Sequence, residues 1–251
     1  MRDWVMLLLP ALVALFPPHA MAQSGSFTIA QHGKTVGTAE YNFVSTPHGY
    51  NSTSLVHVAM QGLNYALSKT ESLSPANQLR HEQVSATVNN SAVHLTASVE
   101  GAQFLLNVSA NAASSTTRLA LHPATVFLPD FAPGALETLL TIALAHNNRD
   151  LWVILPKQAG ADVGSIEAVQ LATYADEQGT LDGKPVIVHH MVATIAGGKT
   201  ELFSGPENQI FQAELPRDGF AMVRKGFVLT PPAKPGAPPA PAPPPQSTLQ
   251  P

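Results

Sequence analysis

The chain contains no cysteine in its 251 residues, only 6% aromatic side chains and only 12% charged ones. Without a thiolate there is no disulfide scaffold, no zinc site built on cysteine, no iron–sulfur cluster and no cysteine nucleophile. An excess of positive charge is missing too: 13 Lys plus Arg stand against 17 Asp plus Glu, for a net charge of −4. Nucleic-acid binding is thereby excluded, because it needs a basic stripe that displaces counterions from phosphates. What is present is a weakly acidic, β-rich chain with 22 prolines.

The two ends differ from the middle. Residues 1–22 read as a secretory signal: Arg2 supplies the positive start, an apolar run follows from Trp4 to Phe16, and Ala20-Met21-Ala22 forms a small-residue cleavage site. Pro10 interrupts that run, which is shorter than the roughly 20 residues a spanning helix needs. Cleavage before Gln23 is therefore expected, with a secreted or periplasmic destination and no transmembrane segment afterwards. Residues 231–251 hold 10 prolines, mixed mainly with alanine. Proline cannot donate to a ladder and this stretch has little to bury, so a semi-extended tail is expected, either passive or contacting a partner in the cell envelope. Residues 23–230 remain as the globular domain.

Period-two alternation dominates the first half of that domain. Val93, Leu95, Ala97 and Val99 alternate with His94, Thr96, Ser98 and Glu100. Leu63-Tyr65-Leu67, Phe104-Leu106-Val108 and Gly37-Ala39-Tyr41-Phe43 repeat the pattern, which marks strands with one buried face. Turn signals such as His32-Gly33, Asn89-Asn90 and Glu100-Gly101 separate them, so an antiparallel meander is the economical topology.

One segment changes period. From Pro133 to His146, Leu136, Leu139, Leu140, Ala143 and Leu144 fall at helical spacing, giving an amphipathic helix capped by Asp130 or nearby backbone and ended by Asn147-Asn148. Leu151–Leu155 then reads as a strand covered on both faces. Further strands are expected near Ile166–Tyr174, Pro185–Ile195, Thr200–Ser204, Asn208–Leu215 and Phe220–Leu229. About a dozen strands in one sheet coil under their own twist. The fold expected is thus mainly β, a long antiparallel meander curled into a half-barrel or barrel, with the single helix covering or plugging its concave side.

The export signal, strand count, helix position and closing run from Gly183-Lys184-Pro185-Val186-Ile187-Val188 through Phe220-Ala221-Met222-Val223-Arg224 are similar to the half-barrel carriers of the bacterial periplasm. The lipoprotein-localisation carrier family is one such group, and secreted β-meander families of unknown function are another. The resemblance concerns fold and transfers no functional residue.

No catalytic motif emerges. The Gly-x-Ser-x-Gly elbow, His-x-His and His-Glu-x-x-His are all absent, and no glycine-rich loop opens a helix. His189-His190 point to opposite faces of a strand, and His57, His94 and His190 would meet only in particular registers, so neither metal nor cofactor is expected. Polar residues that interrupt apolar faces are more informative. Lys69 and Glu71 continue the face of Leu63, Tyr65 and Leu67, while Lys225 lies on that of Ala221, Val223, Phe227 and Leu229. A charge inside a packed core costs several kcal/mol unless paired, whereas at a barrel mouth it stays hydrated and meets a ligand head group; strand ends or snorkelling are the other placement. The expectation is a non-enzymatic protein binding a lipid or other apolar ligand on its concave face, through Tyr65, Leu67, Lys69, Leu95, Ala97, Leu139 and Lys225. The alternative is a cell-envelope interaction module with a filled core, meeting its partner through a sheet edge or the tail.

Overall fold

The computed structural model describes residues 23–147, 149–157, 163–215 and 217–231. The signal and its cleavage site lie outside the described residues, as does the proline-rich tail beyond Pro231.

Eight strands open the chain: β1 (Gln23–Gln31), β2 (Lys34–Thr46), β3 (Gly49–Met60), β4 (Leu63–Leu73), β5 (Leu79–Val88), β6 (Ser91–Glu100), β7 (Gln103–Ala110) and β8 (Ala113–Ala120). Each is antiparallel to the next. Several joints are two-residue turns with both central residues in the left-handed region, as at His32-Gly33, Asn89-Asn90 and Asn111-Ala112. Such turns match the right-handed strand twist, so the meander coils as it grows.

Then come β9 (Ala124–Phe127), the helix α1 (Pro133–Ala145), β10 (Leu151–Pro156), β11 (Gly164–Thr173), β12 (Glu177–Leu181), β13 (Lys184–Ile195), β14 (Gly198–Ser204), β15 (Ile210–Leu215), β16 (Phe220–Arg224) and β17 (Phe227–Leu229). All 17 strands form one sheet. The second group joins the first by pairing β16 with β1, Phe27 opposite Arg224. From that junction the order runs outward through β15, β14, β13, β11 and β10 to β9. Alongside them, β12 pairs the first half of β13 and also β17.

The sheet is curled but not closed: among the described residues its terminal strands β8 and β9 share no ladder. The Val163 N–H, 3.4 Å from Thr117 Oγ1, reaches across the seam. Antiparallel pairing is interrupted once, because β9 and β10 are parallel, with Val126 opposite Val153. That is the consequence of α1, which carries the chain over as a crossover connection, the only economical way to return parallel.

α1 is sunk into the curl. It touches β2, β3, β9, β10 and β15, and only Thr141, Leu144 and Ala145 escape burial. The plug expectation holds, but the stripe is wider than the leucine spacing suggests: Ile142 is buried and Leu144 is 62% exposed. The helix starts at an Ala132 cap with no side-chain hydrogen bond, so Asp130 does not cap it. The single strand expected over Phe220–Leu229 is two, broken at Lys225-Gly226, where Gly226 takes a φ of 82°. The Lys225 N–H donates to Ser26 O there. Lys225 is consequently an exposed turn residue and shares no strand face with Phe227.

Candidate functional site

The middle of the concave face is filled. Phe27, Ile29, Ala39, Val58, Leu95, Ala97, Leu106, Val126 and Leu139 all belong to one buried cluster. Ala97 and Leu139, expected to line a cavity, have no exposure at all.

Within this core lies a band of polar groups, placed by register. Tyr41, Ser54 and Lys69 are successive cross-strand neighbours, as are Ser52, Glu71 and Glu82. Lys69 is 1% exposed. Its Nζ lies 3.1 Å from Glu71 Oε2 and 3.5 Å from Glu82 Oε2, and Ser52 Oγ donates to Glu71 Oε2 at 3.2 Å. Lys69 therefore occupies neither a barrel mouth nor a strand end. It is a sealed cation that separates two carboxyl groups which would otherwise face each other directly across β4 and β5. Burial alone would push the Lys69 ammonium down, but Glu71 and Glu82 outweigh it and its pKa rises. Burial lifts the Glu82 carboxyl well above the usual range, against the pull of Lys69. Burial thus inclines Glu82 toward its neutral form, while Lys69 beside it opposes that shift.

A second network fastens the plug. Glu137 on α1 accepts hydrogen bonds from the Tyr41 hydroxyl and, at 3.2 Å, from the Ile210 N–H. Burial raises its carboxyl to about 7, while Tyr41, Ile210 and Arg224 pull the other way. Arg224 Nη1 reaches the Tyr41 oxygen at 3.5 Å, and Nη2 donates to Ser24 O at 2.7 Å. Burial and Glu137 push the Tyr41 phenol upward, so it stays protonated and donates. The leucine periodicity of α1 gave no sign that Glu137 faced inward.

Open space lies at one end of the curl. A pocket of about 610 Å³ is walled by the β3–β4 turn (Met60, Leu63), the segment from Leu128 to Ala132, Leu136, Leu155, the β13–β14 turn (Ile195, Lys199) and the β15–β16 turn (Leu215, Phe220). Lys199, Arg217 and Asp218 stand on its rim and are exposed. Pro129 and Asp130 also border a second, smaller pocket of about 50 Å³, with Tyr65, Leu67, Val84, Leu95, Val108 and Phe127. Tyr65, Leu67 and Leu95 thus gather at one small apolar space. Sequence reasoning missed the larger pocket because its walls are strand ends and turns, where alternation stops. The signal available was the apolar residues bordering polar turns, Met60 and Leu63 around Gln61-Gly62, or Leu215 and Phe220 around Asp218-Gly219.

Other expected residues lie apart. Lys225 borders a surface cleft of about 460 Å³ with Ser24, Glu40, Tyr41, Asp182 and Arg224. His57 and His94 face outward along a groove on the outer wall, and Ser85 Oγ lies 3.2 Å from His94 Nδ1. His190 is stacked between Tyr174 and Phe203, its Nδ1 3.1 Å from Glu177 Oε1. Among the described residues no group of three or more His, Asp or Glu side chains is arranged to hold a metal ion, and no helix is long and apolar enough to cross a membrane.

No family model and no curated protein matches the chain. Among solved structures it is similar to the crystal structure of a β-barrel-like protein of a domain of unknown function, DUF1849, from Brucella abortus, with a TM-score of 0.55 and 11% identity over 84% of this chain and 98% of that one. At that identity the likeness concerns fold alone. The relation found is with a β-barrel-like domain of unknown function, and not with the lipoprotein-localisation carriers that the sequence resembles.

Proposed function

We propose that this is an exported, non-enzymatic protein that holds an apolar ligand, a lipid or acyl-bearing envelope component, at the open end of its curled sheet. The observation that carries the reading is the pocket of about 610 Å³ walled by Met60, Leu63, Leu136, Leu155, Leu215 and Phe220. Its size is that of small-molecule sites, and its walls combine these apolar side chains with Asp130, Lys199, Thr200, Arg217 and Asp218. The packed centre moves the proposed site from the middle of the concave face to its end. Tyr65, Leu67 and Leu95 line the smaller pocket beside it, while Lys69, Ala97, Leu139 and Lys225 line neither. Native mass spectrometry of the exported protein, followed by organic extraction, should show a bound lipid of fixed stoichiometry. Leu63→Arg should abolish displacement of a fluorescent apolar dye; a folded Leu63→Arg protein that binds dye unchanged would overturn this placement.

The filled centre also favours a second reading, an interaction module of the cell envelope. Deleting residues 232–251 tests it: lost capture of an envelope protein with intact dye binding would place the function in the tail.

A further inference from the structure

The segment between β9 and α1 deserves a function of its own. It runs Leu128-Pro129-Asp130-Phe131-Ala132. Pro129 and Asp130 border both the end pocket and the small apolar pocket behind it, so this strap is the partition between them. Phe131 holds a φ of 56°, the left-handed region that a bulky side chain rarely adopts. Its ring is pinned edge-on between Phe220, with centroids 4.9 Å apart, and Tyr65, at 6.2 Å. Phe220 belongs to the end pocket and Tyr65 to the inner one. The ring therefore stands between the two spaces, on backbone held in a conformation that a bulky side chain rarely adopts. The inner space is the smaller of the two, about 50 Å³, with Asp130 and Lys157 at its border, and every side chain around it from β4 to β7 is aliphatic or aromatic.

We propose that Phe131 gates a chain-length-selective extension of the site: the ligand is a single-chain amphiphile whose long tail displaces the ring and enters between the strap and Tyr65, Leu67, Val84 and Leu95. Strain held at a binding site and released on occupation is a known use of such conformations, and an inner pocket opened by its ligand is a minor state made dominant. The inference rests on the apolar-ligand reading above and assigns its ligand class.

The test compares decanoic and hexadecanoic acid as displacers of one fluorescent apolar dye. The wild-type protein should bind the longer acid more tightly. Phe131→Trp, which enlarges the obstruction, should weaken hexadecanoate by roughly tenfold more than decanoate, so that the preference for the longer acid is lost. Phe131→Gly, which removes both ring and strain, should keep the preference and speed association of the long chain. A folded Phe131→Trp protein that loses both acids equally or neither overturns the gate. So does a Phe131→Gly protein whose association rates match the wild type, which decides the matter if the tryptophan variant fails to fold. Failure of the wild type to bind either acid or the dye instead removes the apolar-ligand reading, and the gate with it.

Discussion

At the scale of single residues, the buried charges make the sharpest claims. Lys69 is stabilised only by the two carboxyl groups that it separates, so removing it alone leaves Glu71 and Glu82 confronting each other without solvent. Lys69→Met should destabilise the protein by about 3–5 kcal/mol. Replacing all three together, Lys69→Met with Glu71→Leu and Glu82→Leu, should cost far less, because desolvation of the whole cluster disappears along with its attraction. Urea midpoints of the two variants decide it; equal losses would mean that the cluster matters only as packing volume. Glu137 gives the pH dependence. Its carboxyl sits near 7 in the folded chain against an ordinary value of 4.5, so the native state binds the extra proton. Its contribution is fully present below about pH 4.5 and is lost as pH rises through 7, by about 3 kcal/mol in total. Asp130 and Glu82 are raised in the same direction, so the readout is a difference. Glu137→Gln should lose about 3 kcal/mol less than the wild type between pH 4.5 and 8, and an unchanged pH slope would sink the assignment.

At the scale of elements, α1 is a plug rather than a cover. Leu139 is fully buried and Leu144 is 62% exposed, although both sit on the leucine stripe. Leu139→Ala should cost about 2–5 kcal/mol and Leu144→Ala no more than about 0.5, measured by thermal or urea unfolding. The strands themselves were legible in sequence because alternation and tight turns are local facts. The run from Val93 to Val99 and the turn at Asn89-Asn90 required no knowledge of the rest of the chain. β8, with its sequence ASSTTRLA, lacks apolar alternation because both its faces are largely open, and β9 is buried throughout and too short to show a period. Lys69 could not be read correctly, since its burial depends on Glu82 from the next strand. The end pocket was equally hidden, because it is assembled from three separate turns, the strap, and single residues of α1 and β10. Gly37 was legible as part of an alternating run, but its necessity was not: it sits beside the register shift between β1 and β2, where an added Cβ would lie 2.1 Å from the His57 carbonyl oxygen. Backbone cannot yield as a side-chain tip does, so Gly37→Ala should destabilise by about 2 kcal/mol or more.

At the scale of the molecule, an unclosed curl has two unequal ends. β9 is held on one side by β10 and covered by α1, and all four of its residues are buried. β8 is held only by β7, and none of its residues is buried. The seam between these ends is spanned by the contact of Val163 N–H with Thr117 Oγ1 and by Leu106 packing beside Gly164. Local opening starts where few apolar contacts must be broken, so β8 should detach in a subglobal step well below the free energy of global unfolding. Hydrogen exchange should then show the β8 amides that bond to β7 losing protection first, β7 following, and β1 to β4 exchanging only with the whole molecule. Thr117→Val removes the side-chain acceptor at the seam and should accelerate β8 selectively, leaving β2 and β3 unchanged. Uniform exchange across β1 to β8 would mean that the seam is as firm as a ladder, and that the curl behaves as a closed barrel despite its missing register.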